Sequence, residues 1–273
     1  MPIVTTSDKT ELFVKDWGSG RPVILLCGWP LSSASWDDQA LALADAGYRA
    51  ISYDRRGFGR SSQPWSGYDY DSLAGDLACV IEQTGARDAV LVGFSMGGGE
   101  VVRYLARHAS KSVVQAVLVS SVVPYMLKTD DNPHGTQAAV FDQMAQAIME
   151  DRARFFAGFF KDFFGVGMLA HPVSDQLLEW ARGMAMQAGL KAILECAKAF
   201  STTDFRSDLR AIDVPTLIIH GTADKTVPID AAGRAAAKAI AQSTLVEYED
   251  APHGLFATDK KRLTHDLLEF IRR

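Results

Sequence analysis

In this 273-residue chain the residues with the plainest chemical meaning are Gly93-Phe94-Ser95-Met96-Gly97. The run follows the apolar stretch 89–92 and precedes a helical pattern. A strand–turn–helix setting of this kind lifts the serine hydroxyl clear of the backbone. Glycine two positions to either side permits the sharp turn, since larger side chains would collide with the neighbouring strand and helix. The hydroxyl would also sit at a helix N-terminus, where free amides and the helix dipole favour developing negative charge. The expected chemistry is nucleophilic attack by Ser95.

A serine hydroxyl is a poor nucleophile near neutral pH and needs a base that a third group orients. In G-x-S-x-G enzymes the acid and then the histidine come after the serine in the chain. Asp224 stands four residues past His220, at the end of the apolar run 216–221, and His253 lies in Asp250-Ala251-Pro252-His253-Gly254 after the last strand pattern. Both positions are just beyond strand ends, where α/β sheets collect their ligand sites. Of the other histidines, His108 and His265 fall inside helical patterns, and His134 and His171 lie in a helix-rich segment. His220 precedes the acid and reads as a satisfied structural histidine. Asp230 and Asp250 compete less well with Asp224, because neither sits in a tight post-strand turn a full strand–helix unit before His253. Two backbone amides are needed for the oxyanion. Met96, the residue after the nucleophile, supplies one, and Trp29 in Cys27-Gly28-Trp29-Pro30 supplies the other, since Pro30 has no N–H.

These residues need a scaffold that brings strand ends together. Strand patterns run over residues 10–17, 22–28, 48–54, 88–94, 113–121, 215–220 and 244–249. Helical periodicity occupies 71–84, 97–108 and 260–272. Such alternation needs crossovers and implies a mainly parallel sheet with helices on both faces. Residues 122–210 hold no strand pattern, only helical ones and the cluster Phe155, Phe156, Phe159, Phe160, Phe163 and Phe164. One helix face cannot bury so many rings, so this helix packs on two sides or covers a pocket. The chain therefore reads as one domain over 1–273 with a helical cap inserted at about 122–210.

The chain is 48% hydrophobic and 22% charged, with a net charge of −5, as in an ordinary globular protein. Mild acidity argues against nucleic-acid or anionic-membrane partners. The N-terminus lacks a signal pattern and no apolar run is long enough to span a bilayer, so a cytoplasmic location is expected. Cys27, Cys79 and Cys196 form neither CxxC pairs nor an even set, which speaks against disulfides or a zinc site; Cys27 and Cys79 read as small buried hydrophobes. There is no metal-ligand run such as HExxH.

With these residues in place the sequence resembles the α/β-hydrolase superfamily, and within it the cofactor-free haloperoxidases (perhydrolases) with their aryl-esterase and γ-lactamase relatives. The resemblance rests on Gly28-Trp29-Pro30-Leu31-Ser32, on Trp36, and on Tyr53-Asp54-Arg55-Arg56-Gly57-Phe58-Gly59-Arg60-Ser61-Ser62. It extends to Gly93-Phe94-Ser95-Met96-Gly97-Gly98-Gly99-Glu100 and Pro252-His253-Gly254-Leu255. It implies a sheet of about eight strands and a triad of Ser95, His253 and Asp224, with the oxyanion held at Trp29 and Met96. The implied activity is cofactor-free hydrolysis of small carboxylic esters, with hydrogen peroxide as an alternative acceptor and halide as the oxidised partner. Cys27 replaces the histidine usual before this glycine, which is expected to alter loop packing and not catalysis. Trp29, Phe58, Phe94 and Leu255 are expected to line an apolar substrate pocket, and Pro30 to favour peroxide by fixing the local carbonyl direction. A lactam or C–C bond hydrolase, and a non-catalytic small-ligand receptor, are the alternative readings. Such proteins often form homo-oligomers, but no sequence patch points to one here.

Overall fold

The computed structural model describes residues 2–108 and 112–273. In chain order the strands are β1 (Ile3–Thr5), β2 (Glu11–Gly18), β3 (Pro22–Leu26), β4 (Arg49–Tyr53), β5 (Ala89–Phe94), β6 (Val113–Val119), β7 (Thr216–Gly221) and β8 (Ser243–Tyr248). They form one sheet in the order β1-β2-β4-β3-β5-β6-β7-β8. Only the β1–β2 and β2–β4 pairs are antiparallel, and the other five are parallel. Every residue of β3, β5 and β7 is buried, because helices cover both faces, and this is why these strands read as unbroken apolar runs. The edge strand β1 has one buried side chain between two exposed ones; its three residues are too short to show a pattern, and the sequence reading passed over it.

The helices are α1 (Asp37–Asp45), α2 (Tyr70–Gln83), α3 (Met96–His108), α4 (Ala138–Phe163), α5 (Asp175–Gln187), α6 (Leu190–Thr202), α7 (Arg206–Leu209), α8 (Gly233–Ala239), α9 (Leu255–Thr258) and α10 (Lys260–Ile271). Asp69 opens α2 by accepting from the Ser72 amide, 3.0 Å away, which satisfies one of the orphan donors of the first turn. The segment between β6 and β7 contributes α4 to α7 and no strand, only isolated bridges such as Leu127–Thr136.

Helix α4 is broken within its length. Asp151 has φ −153° and ψ 89°, and its carboxylate accepts from the Arg154 amide at 2.9 Å. An extended residue whose side chain takes an amide three positions on is an N-cap, so Asp151 ends one helix and starts another. After the break, Phe156, Phe160 and Phe163 are fully buried against the core, while Phe155 and Phe159 turn the other way. The helix thus packs on one side and faces a cavity on the other. Before the break only Ile148 is buried. No helix among the described residues is long and apolar enough to cross a membrane.

Candidate active site

Ser95 occupies the turn between β5 and α3 with φ 53°, a left-handed conformation costly for a residue with a Cβ. Its amide donates to the Val119 carbonyl at the end of β6 (2.8 Å), and its carbonyl accepts from the Gly98 amide at 3.0 Å. The glycines on either side are there for want of room. A Cβ on Gly93 would come within 2.6 Å of the Gly97 carbonyl oxygen, and one on Gly97 within 2.6 Å of the Leu26 carbonyl oxygen.

The loop after β8 brings His253 over this turn. Its Nε2 is 2.9 Å from Ser95 Oγ and its Nδ1 is 2.6 Å from Asp224 Oδ2. Nδ1–H donating to the carboxylate leaves Nε2 as the acceptor for the serine proton. The imidazole is fully buried, with the Phe94 ring 5.0 Å away and the Phe163 ring edge-on at 4.8 Å. Asp224 lies in the turn after β7. Its Oδ1 accepts from the Thr226 and Val227 amides at 2.9 and 2.8 Å. Burial opposes its charge, but the adjacent His253 and hydrogen bonds from His220 and His253 outweigh that cost and hold the carboxyl well below the usual range. Ser95, His253 and Asp224, taken from three different strand ends, therefore meet.

His220 differs from its sequence reading. Its Nε2 lies 2.9 Å from the Val227 carbonyl and 3.3 Å from Asp224 Oδ2. Its Nδ1 is buried with no partner among the described residues, so this histidine is only half satisfied. It braces the acid's turn from behind.

The expected oxyanion donors flank Ser95. A Cβ on Gly28 would touch the Phe94 ring at 2.7 Å and Ser95 Cβ at 3.0 Å, so only glycine lets this loop approach Ser95 so closely. Among the described residues, neither the Trp29 nor the Met96 amide donates to a backbone acceptor. Cys27 is buried with Sγ 3.5 Å from the Leu31 carbonyl. Its own carbonyl accepts from Arg55 Nη2 at 2.6 Å, and Arg55 Nε donates to Glu100 Oε1 on α3, also at 2.6 Å. A buried ion pair thereby ties the loop after β3 to α3, the helix that follows Ser95. Arg55 stands in the Asp-Arg-Arg-Gly run that carries the family resemblance, and its part in the site emerges only from these contacts. Cys79, expected to be buried, is only partly so.

Above Ser95 opens a cavity of about 430 Å³, walled by Trp29, Met126, Phe141, Phe155, Phe159 and Phe200 among others, with Asp162 and Lys225 on its polar side. Of the expected pocket residues only Trp29 lines it. Its indole Nε1 donates to the Ile193 carbonyl at 3.1 Å, and its ring meets Phe159 edge-on at 5.5 Å. Phe58, Phe94 and Leu255 do not line the cavity and are fully buried. The Phe94 ring is taken up by Trp36, Phe163, Phe256 and His253, Phe58 lies against the Arg55 guanidinium, and Leu255 opens α9 within the core. Proximity in sequence to the triad put them beneath the site. Lys225, Thr226 and Val227 do line it; the signal was the acid's own turn, which must fold back toward the serine.

A family model for the alpha/beta hydrolase fold matches residues 21–260. The chain is similar to a non-heme chloroperoxidase of Streptomyces lividans (46% identical, all of both chains) and to a bifunctional esterase/perhydrolase of Acinetobacter calcoaceticus (43%, all of both). A bromoperoxidase from Bacillus anthracis superposes with a TM-score of 0.96 at 41% identity, over 100% of this chain and 99% of that one. With that coverage and the geometry around Ser95, the chain belongs to the alpha/beta hydrolase fold family.

Proposed function

We propose that the chain is a serine esterase that also transfers its acyl group to hydrogen peroxide, with Ser95, His253 and Asp224 as its triad. The reading is carried by the continuous hydrogen-bonded line from Ser95 Oγ through His253 to Asp224 at the floor of an apolar cavity. His253 takes the serine proton as Ser95 attacks the ester carbonyl, and Asp224 holds the imidazolium that forms. The amides of Trp29 and Met96 receive the oxyanion. The alkoxide leaves with the proton from His253, giving an acyl-enzyme. Water then yields a carboxylic acid. Hydrogen peroxide, deprotonated by His253, instead yields a peracid and free Ser95, and the peracid can oxidise halide in solution. Every proton and electron is accounted for by side chains and co-substrates, so the cycle requires no metal or cofactor.

The relatives named for chloroperoxidase and esterase/perhydrolase activity support both acceptors. The apolar wall favours small or aromatic acyl groups over charged ones. An organophosphonate should label Ser95 alone and abolish p-nitrophenyl acetate hydrolysis. Full activity in Ser95→Ala would refute the reading, and failure to form peracid from acetate and peroxide would confine it to hydrolysis.

A further inference from the structure

The cavity above Ser95 carries two thioethers in its wall, Met126 on the loop after β6 and Met144 on α4. Neither has a part in acyl transfer. Met126 is 2% exposed and lines this cavity alone among those described, so the cavity is its route to any reagent. Met144 is partly buried and also borders a second groove between α4 and α6. Two other methionines provide an internal contrast: Met149 and Met168 are 62% and 97% exposed and lie outside this cavity.

We propose that Met126 and Met144 are oxidation sites for the peracid made at Ser95, and that turnover with peroxide is therefore self-limiting. This rests on the perhydrolase reading. A peracid released from Ser95 begins its life in a cavity of about 430 Å³ that Met126 and Met144 line, at a local concentration above that in bulk. Its terminal oxygen is more electrophilic than that of hydrogen peroxide, because a carboxylic acid is the better leaving group. The sulfur lone pair attacks that oxygen, the O–O bond breaks and an S–O bond forms. The peracid proton ends on the departing carboxylic acid, the sulfur loses two electrons and the peracid gains them. The resulting sulfoxide is polar and chiral and stands in a wall it shares with Trp29, Val122, Phe141 and Phe200.

The signature is an order of oxidation that inverts solvent exposure. Wild type turning over a small acetate ester with hydrogen peroxide, in excess free methionine to trap released peracid, should accumulate sulfoxide first at Met126 and Met144, read by peptide mass spectrometry. Ser95→Ala given peracetic acid from outside, without the trap, should oxidise Met168 and Met149 first. Met126→Leu, compared with its own initial rate, should lose activity more slowly per turnover than wild type. Peracid output is read in the same reactions as sulfoxide of the free methionine above that formed with Ser95→Ala and the same peroxide. If the trap is oxidised in this way while Met126 stays unoxidised, or if Met126→Leu decays as fast as wild type, the proposal is overturned and the perhydrolase reading survives. If no peracid forms, both fall together.

Discussion

The floor and the roof of the cavity are built on different principles. The floor consists of Ser95, His253 and Asp224 just past the ends of parallel strands β5, β8 and β7, each 6% exposed or less, with glycine at 93 and 97, where a Cβ would strike backbone. The roof is α4 and α6, held by aromatic contacts and interrupted at Asp151, and its first half is largely exposed. The floor has one arrangement open to it because close-packed backbone leaves no other. The roof has several, because side chains of similar volume can replace one another over a cavity. Chemistry should therefore belong to the floor and substrate preference to the roof.

Substitutions can break that division. The largest effect is expected for Ser95→Ala, a fall in kcat of about 10⁶-fold with the unfolding midpoint in urea little changed. Asp224→Asn should cost about 10⁴-fold in kcat by letting the imidazole take the wrong tautomer. It should also flatten the acid limb of stability. A carboxyl held below its ordinary value contributes stability that is complete above the unfolded pKa of about 4 and is lost as pH falls through the lower folded value. Urea titrations at descending pH should thus show wild type losing more below pH ~4 than Asp224→Asn. Arg55→Met strands Glu100 in the core, and a broken buried pair costs about 3–5 kcal/mol. If Arg55 also aims the Cys27 carbonyl, kcat should drop with KM nearly unchanged, and a matching rise in KM would assign it to the roof instead. Phe159→Ala should change the ratio of kcat/KM for aromatic over acetyl esters by about tenfold while leaving phosphonate labelling of Ser95 intact. Smallest is a labelling test: burial pushes the Cys27 and Cys196 thiols up to about 11 and about 12, so an aromatic disulfide should react first with partly exposed Cys79 and reach the others only on unfolding.

The same division explains what could be read from sequence. Residues of the floor were legible because sterics and chain order constrain them: Gly93 and Gly97 announce the turn, and the acid and histidine must follow later strands. The roof was legible only as a type. Six phenylalanines signalled a doubly packed helix, but which rings face the cavity depends on how α4 lies over the strand ends. The errors at Phe58, Phe94 and Leu255 have one cause. Apolar residues next to a catalytic group are the ones most needed to pack beneath it, and sequence neighbourhood does not separate above from below. Neither a role for Arg55 nor the half-satisfied state of His220 is legible in the sequence, because their partners, the Cys27 carbonyl and Asp224, become neighbours only in the folded chain.

The cap at Asp151 has an evolutionary consequence. Because Asp151 breaks α4 and caps its second half, replacements at the exposed positions of residues 138–150 are expected to leave in place the phenylalanine-packed half that contacts His253. A lineage could therefore exchange this half-helix much as a tool exchanges bits, acquiring new substrates while its machinery stays under unbroken selection. Directed libraries confined to 138–150 should accordingly contain a larger share of folded, phosphonate-reactive members than libraries of equal diversity at 152–164.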